Sequence, residues 1–160
     1  MSELYRKKNL IYYRGSIFSA PKGSILAHSC NCEGVWGSGI ARTFKLRNPN
    51  IFNKYQEYCK DKDLLGYSPI FESPLDLDIV CCLMVSQGGS HSTIDSRYSI
   101  LKHTDMAIKN LKWILSCEKY KDKEIHMPMI NSGVFRVPWE ITEEVLNMYP
   151  DMTFHVWGLS

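Results

Sequence analysis

Residues 26–41 hold the densest group of side chains and glycines that could bind and transform a charged ligand. The stretch Leu26-Ala-His-Ser-Cys-Asn-Cys-Glu-Gly-Val-Trp-Gly-Ser-Gly-Ile-Ala41 predicts the end of a buried strand, a Gly-rich turn and the start of a helix. Such a turn leaves backbone N–H groups free at the positive end of the helix, which suits a phosphate. A short Gly-rich turn can equally be only a turn, so neighbouring side chains have to distinguish the two interpretations.

Two polar side chains lie near the end of the predicted strand in this stretch. Histidine changes its charge near neutral pH, so His28 is a candidate for proton transfer to a ligand. Asn31 could hold a ligand hydroxyl or orient a water molecule. Each has a structural alternative: His28 as a partly buried histidine bonded to a backbone carbonyl, and Asn31 as an Asx-turn residue that caps the loop.

Six cysteines raise the alternatives of disulfides, a zinc site or a thiolate nucleophile. Cys30 and Cys32 are two residues apart, which is not the C-x-x-C spacing of a zinc knuckle. Cys81 and Cys82 are adjacent, so on a strand they point to opposite faces. No cationic group is next to Cys30 or Cys32 in the sequence to favour a thiolate. We therefore predict reduced, mostly buried thiols and no metal site.

The bulk composition fits one soluble globular domain that spans residues 1–160. Hydrophobic residues make up 44% of the chain and aromatic residues 12%, which is enough to build a core. A net charge of +2 is too small for general nucleic-acid binding. No apolar run approaches a membrane span and the N-terminus lacks a signal-peptide pattern, so we predict an intracellular protein that binds neither nucleic acid nor membrane.

Strand and helix patterns alternate along the chain. The basic cluster at residues 6–8 reads as a solvated N-terminal face, and the first strand is predicted after it. The predicted strands are residues 9–14, 24–30, 68–72, 77–85, 125–129 and 153–157, and the predicted helices are residues 40–47, 50–62, 96–119 and a last one from Pro138. This alternation predicts an α/β sandwich with a mainly parallel central portion.

Four polar or Gly-containing loops follow predicted strands: residues 15–17, 28–39, 86–90 and 131–136. In parallel α/β sheets, ligands bind outside the carboxyl ends of the strands. We therefore predict that these four loops converge on one rim of the sheet.

With these loops identified, the sequence resembles the macrodomain family of ADP-ribose-binding α/β modules, and within it the fungal ADP-ribose 1″-phosphate phosphatase branch. The resemblance is carried by the segments at residues 28–41 and 127–139, with support from residues 15–17 and 81–83. It implies a macrodomain-like three-layer α/β/α sandwich with a central mixed, mainly parallel sheet. It also implies hydrolysis of ADP-ribose 1″-phosphate, a by-product of tRNA splicing, to ADP-ribose and phosphate.

The resemblance also implies roles for individual residues. His28 and Asn31 would be catalytic, as proton donor and as ligand for the distal ribose or water. The predicted substrate-binding residues form the adenine site, the end of the second predicted strand and the two loops around the ribose and diphosphate: Gly15, Ser16, Ile17, Ser29, Cys30, Trp36, Gly37, Ser38, Gly39, Ile40, Ala41, Asn131, Ser132, Gly133, Val134, Phe135 and Arg136. Trp36 has core filling as its alternative.

Three positions depart from the family pattern: Ser16 replaces an aspartate, Ser38 replaces a glycine and Arg136 replaces a glycine.

We predict a metal-independent reaction without a cofactor, because no Asp, Glu and His set has metal-ligand spacing near the loops. The alternatives are removal of ADP-ribose from acidic side chains and a non-catalytic ADP-ribose reader, with ADP-ribosylated protein as a partner. The lysine and aspartate of related glutamyl-ADP-ribose hydrolases are missing at residues 86–89 and 134–136. We expect a monomer.

Overall fold

A seven-stranded sheet runs through the protein, whose computed structural model describes residues 3–159. Its strands are β1 (Glu3–Lys7), β2 (Leu10–Arg14), β3 (Ile25–Asn31), β4 (Ile70–Phe71), β5 (Ile79–Ser86), β6 (Ile125–Pro128) and β7 (Phe154–Leu159). The spatial order is β1-β2-β7-β6-β3-β5-β4. The four inner pairings, β2 with β7, β7 with β6, β6 with β3 and β3 with β5, are parallel, and the two edge strands β1 and β4 are antiparallel to their neighbours.

Four α-helices cover the two faces of this sheet: α1 (Gly39–Arg47), α2 (Pro49–Tyr58), α3 (Arg97–Ile114) and α4 (Trp139–Asn147). Helices α3 and α4 share one buried apolar cluster with the sheet, whereas α1 and α2 share another. Side chains alternate along a strand, so Ile25 and Ala27 of β3 enter the first cluster and Leu26 and Cys30 enter the second. The predicted α/β/α sandwich with a mixed, mainly parallel sheet is confirmed.

The central strands are apolar on both faces because helices cover both of them. In β5, residues 80–86 are all buried, and in β3 every residue is buried except the partly buried Ser29. The basic residues 6–8 are exposed, as predicted, but residues 3–7 also form the edge strand β1, which was not predicted from the sequence. All five residues of β1 are exposed, so no apolar alternation marked the strand. Within residues 3–159 no helix has the length and apolar character to cross a membrane.

Candidate active site

A cavity of about 380 Å³ opens at the carboxyl ends of β3, β6 and β7, the rim where the loops were predicted to meet. Its walls come from the end of β3, the start of α1, the loop after β6 and the end of β7. The lining residues are His28, Ser29, Ser38, Gly39, Ile40, Ala41, Pro128, Met129, Ile130, Asn131, Ser132, Gly133, Val134, Phe135, Trp157 and Gly158. The lining is mostly apolar, and no carboxylate, Lys or Arg lines the cavity within residues 3–159.

Helix α1 points its amino end into this cavity. Ser38 is the N-cap residue, yet its side chain makes no capping hydrogen bond, and the N–H groups of residues 39–41 have no backbone or side-chain acceptor within residues 3–159. Gly39 has a φ of +58°, a conformation that glycine adopts without strain and that sets the direction of the helix. Unpaired N–H groups and the helix dipole together favour an anion at this end.

The loop after β6 forms the opposite wall and is held by Asn131, which is 3% exposed with a φ of +69°. Its Oδ1 accepts from the Ser29 hydroxyl at 2.6 Å, and its Nδ2 donates to the hydroxyls of Thr104 and Thr142 at 3.0 and 3.3 Å. Its carbonyl accepts from the N–H of Val137 at 2.8 Å, which closes the loop. These bonds connect β3, α3 and α4 to one loop residue, so the side chain of Asn131 positions the wall.

Backbone donors face the cavity from this loop too. The N–H groups of residues 133–135 have no acceptor within the described part of the chain. Ile40 and Val134 stand on the two walls and are each 38% exposed. The cavity therefore combines two sets of free N–H groups with apolar walls, an arrangement that holds an anionic and partly apolar ligand without cationic side chains.

His28 lies next to the cavity, but its side chain is fully buried. Its ring stacks on Phe44 with centroids 4.3 Å apart and meets Trp36 edge-on at 4.8 Å. Sγ of Cys30 is 3.7 Å from Nδ1 and 3.6 Å from Nε2, and these nearly equal distances mean that it lies on neither nitrogen's lone-pair axis. In this arrangement the ring is a core element packed behind the cavity, with no open path for a proton.

Cys30 and Cys82 lie beside His28 in the same buried cluster. Burial opposes ionisation of the Cys30 thiol, but a hydrogen bond from Cys82 and the neighbouring His28 hold its pKa below the usual range. Burial raises the pKa of Cys82 well above the usual range. Cys30 is 1% exposed and lies outside the cavity lining, and its contact with substrate stays a prediction. The predicted reduced thiols agree with six free cysteines.

Asn31 folds the loop that follows β3. Its Oδ1 accepts from the N–H groups of Glu33 and Val35 and from the Tyr55 hydroxyl, and its Nδ2 donates to the Val35 carbonyl at 2.7 Å. Gly89 approaches so closely that a Cβ there would lie 2.1 Å from Nδ2 of Asn31. The geometry is that of the loop-capping alternative, because every polar atom of this side chain is already paired.

The other predicted residues divide by position. Trp36 is 1% exposed and packs between Phe44 and Tyr55, the arrangement expected of its core-filling alternative. Gly15, Ser16 and Ile17 lie outside the cavity lining, although the 3₁₀ turn that begins at Ile17 touches β6 and β7. Gly37 and Arg136 lie outside it as well, and Arg136, with a φ of +59°, contacts Nδ1 of His91. The contact roles of Gly15–Ile17, Gly37 and Arg136 stay predictions.

Five lining residues were missed from the sequence: Pro128, Met129, Ile130, Trp157 and Gly158. They end β6 or β7, or follow β6 directly. The rule that ligands bind at strand carboxyl ends could have identified them, because both strands were predicted.

Comparison with known proteins identifies the class. The family model of the Macro domain matches residues 27–146, so the chain belongs to the macrodomain family. Three similar proteins are each named ADP-ribose 1″-phosphate phosphatase. The Candida albicans protein is 36% identical, with 91% of this chain and 97% of the relative covered. The Lodderomyces elongisporus protein is 38% identical, with 91% of this chain and 96% of the relative covered. The Saccharomyces cerevisiae protein is 36% identical, with 94% of this chain and 99% of the relative covered.

Solved structures show the same fold. The macrodomain of Mycobacterium tuberculosis DarG superposes with a TM-score of 0.75 at 21% identity, covering 94% of this chain and 98% of its own. Thermosipho africanus DarTG, solved in complex with ADP-ribose, gives a TM-score of 0.74 at 18% identity, covering 99% of this chain and 43% of its own.

Proposed function

We propose that this chain hydrolyses ADP-ribose 1″-phosphate to ADP-ribose and inorganic phosphate. The observation that carries the proposal is that the start of α1 and the loop after β6 line one cavity and both carry unpaired N–H groups. Support comes from the 36–38% identity, over nearly the whole chain, to relatives that carry this activity in their names. A diphosphate with a further phosphate is the kind of polyanion that such donors bind without a cluster of cationic side chains.

The reaction needs a water, donors for the charge that develops on the phosphate oxygens, and a proton for the leaving oxygen. Free N–H groups at residues 39–41 and 133–135 supply fixed donors, and Ser29 supplies a partly buried hydroxyl at the end of β3. The oxygen of water attacks phosphorus, the phosphorus–oxygen bond to the sugar breaks, and the sugar oxygen takes a proton. We propose that this hydrolysis uses no metal, since the lining offers no carboxylate to hold one.

The roles assigned to His28 and Asn31 from the sequence stay predictions. His28 is buried against Phe44, and the side chain of Asn31 is hydrogen-bonded to its own loop. In the present geometry both residues support the walls, and Ser29 is a partly buried polar side chain of β3 in the cavity lining.

The deciding experiment incubates purified protein with ADP-ribose 1″-phosphate in EDTA and quantifies phosphate and ADP-ribose. We expect both products in equal amounts, with ¹⁸O from labelled water in the phosphate. Failure to release phosphate, with or without added Mg²⁺ or Zn²⁺, would overturn the proposal. Tight ADP-ribose binding without turnover would identify a reader, and turnover only with metal would overturn metal independence. Label found in the sugar would overturn the assigned phosphorus–oxygen cleavage.

A further inference from the structure

A row of hydrogen-bonded side chains connects the cavity to the opposite end of the sheet. Nε1–H of Trp157, in the cavity wall, donates to Nδ1 of His126 at 2.9 Å. Nε2 of His126 lies 2.9 Å from Oε1 of Glu124, just before β6. Trp157 is 3% exposed and the His126 side chain is fully buried, whereas the Glu124 side chain is 48% exposed. The row therefore runs from the ligand cavity to solvent.

The indole of Trp157 fixes the tautomer of His126. An indole N–H can only donate a hydrogen bond, so Nδ1 of His126 must carry a lone pair. The proton of the neutral ring is then on Nε2, where it is donated to the Glu124 carboxylate. Both nitrogens are committed in this arrangement, and His126 must be neutral for Trp157 to keep its partner.

A metal site at the same place does not fit. Ligand atoms of Glu124, His126 and His155 lie within 4.8 Å of one another. A metal on Nε2 of His126 would leave the proton of the neutral ring on Nδ1, where it would face the indole N–H of Trp157. Two donors would then point at each other, so the cluster is a hydrogen-bonded array and not a metal centre.

We propose that His126 is a positioning residue for the ligand cavity: its neutral ring holds Trp157 in the wall, and a proton on Nδ1 breaks that bond and weakens ligand binding. The identity of the ligand, the ADP-ribose moiety, rests on the proposed function. The coupling between His126 and Trp157 is independent of that identity. Protonated His126 has donors on both nitrogens, so the indole must leave its observed place.

His155 offers an internal contrast, because it stacks on His126 with centroids 4.3 Å apart but has a different partner. Its Nδ1 lies 2.7 Å from the hydroxyl of Tyr13, and a hydroxyl can donate or accept. A proton on His155 is therefore accommodated by turning the hydroxyl. Tyr13 itself stacks on Trp157 at 4.6 Å and need not move when this happens.

The charged and titratable neighbours of His126 come from several strands. They are Glu124 before β6, His155 on β7 and Tyr13 on β2. Two charged residues of β1 lie one step further out: Arg6 affects the pKa of His155, and Glu3 affects the pKa of Tyr13. Strand β3 contacts β6 through Ile25 and Leu26, which do not titrate. Burial lowers the pKa of His126 and outweighs the opposing effect of Glu124. A lowered pKa keeps the ring neutral at neutral pH, so the bond to Trp157 is intact there and is lost as pH falls through that pKa.

The test is calorimetry of ADP-ribose binding from pH 8 to a pH below the pKa of His126, which an NMR titration of the His126 ring locates. For the wild type we expect constant affinity down to the pKa of His126 and then a loss of up to roughly tenfold per pH unit, the slope of one linked proton. His126→Asn puts Oδ1 near the place of Nδ1, so it should keep an acceptor for Trp157 and remove the pH dependence. His155→Asn should keep it. Equal pH dependence in the wild type and in His126→Asn, or none in the wild type, would overturn the proposal.

A second measurement needs no ligand. In ¹⁵N spectra the indole N–H of Trp157, identified by its loss in Trp157→Phe, should shift along the titration curve of His126. An indole signal that ignores that titration would overturn the coupling even if ADP-ribose binds. Absence of ADP-ribose binding would instead refute the proposed function. If His126→Asn fails to fold, Trp157→Phe replaces it: without the indole donor the pKa of His126 should rise, and an unchanged value would contradict the proposal.

Discussion

Ser29 and Asn131 connect the central strand β3 to the loop that forms the far wall of the cavity, through a 2.6 Å hydrogen bond from Oγ to Oδ1. The two residues are 102 positions apart in the chain. Because Nδ2 of Asn131 is bonded to Thr104 and Thr142 as well, one side chain fixes the loop against three elements. These bonds fix the position of the cavity wall relative to the core.

Replacing Asn131 should separate the contributions of this network and of the backbone. Asn131→Ala removes all three side-chain hydrogen bonds. It also leaves alanine at a φ of +69°, a left-handed conformation that asparagine tolerates better than alanine because its polar side chain can hydrogen-bond locally. We expect the free energy of unfolding to fall by about 2–4 kcal/mol. Asn131→Gly loses the same bonds but accepts the backbone, so it should be more stable than the alanine variant by about 1 kcal/mol. Urea unfolding measures both, and wild-type stability in Asn131→Ala would refute the network.

A charge at the start of α1 tests the anion site. Ser38→Asp puts a carboxylate at the helix N-cap, which should raise stability by about 0.5 kcal/mol through the helix dipole. The same carboxylate lies in the cavity wall and should weaken ADP-ribose binding at least about fivefold, since two like charges 4 Å apart in water repel by about 1 kcal/mol. Ser38→Asn matches it in shape without the charge and should bind like the wild type within about twofold. Calorimetry with equal affinities for the two variants would contradict an anion at this helix end.

The sequence was sufficient for the order of the elements after β1 and for two of the four loops predicted to share a rim: residues 28–39 and 131–136 contribute to the cavity lining, whereas residues 15–17 and 86–90 do not. Apolar runs marked the central strands and helical spacing marked α2 and α3, because these elements bury apolar side chains, whereas Pro138 and the acidic residues after it marked α4. Periodicity could not mark β1, whose five residues are all exposed and which pairs with β2 alone in the sheet. The strand β3 also runs one residue beyond its predicted end, since Asn31 pairs with Ser86 across a register shift.

The direction of individual side chains was harder to predict. His28 and Trp36 stand in a motif that looks chemical, but on β3 the alternation directs His28 to the α1 and α2 side, where Trp36 and Phe44 enclose it. How deeply a strand side chain is buried depends on tertiary packing, which local sequence does not encode. Ser29, the neighbour on the opposite face, also lines the cavity and is only partly buried.

His28 can be tested with a pair of variants. His28→Phe keeps an aromatic ring against Phe44, so we expect a loss of less than about 1.5 kcal/mol in stability and retained phosphatase activity. His28→Ala leaves a cavity behind Trp36 and should lose about 2–4 kcal/mol. Thermal unfolding and phosphate release are measured on both. A folded but inactive His28→Phe would restore the catalytic role predicted from the sequence.

Glu143, which contacts strands β1 and β2, provides a pH-dependent test of stability at that edge of the sheet. Its carboxylate, on α4, accepts from Nζ of Lys7 at 2.6 Å and from the hydroxyl of Tyr12, and the residue is 6% exposed. Burial opposes its ionisation, but the hydrogen bonds from Lys7 and Tyr12 hold the pKa of Glu143 below its ordinary value of 4.5. A depressed pKa adds stability that is complete above the ordinary value and is lost as pH falls through the folded one.

Glu143→Gln should therefore lower the free energy of unfolding at pH 7 by about 1–3 kcal/mol, because bonds to a buried charge become bonds to a neutral amide. The difference from the wild type should shrink as pH falls below 4.5, where the wild type loses the same charge. Glu57→Gln is the matched control: Glu57 pairs with Lys60 at 2.8 Å, but both side chains are 73% exposed, so its removal should cost less than about 0.5 kcal/mol. Urea unfolding from pH 7 to pH 3 gives both quantities, and a difference that stays constant with pH would show that the charge of Glu143 does not stabilise the fold.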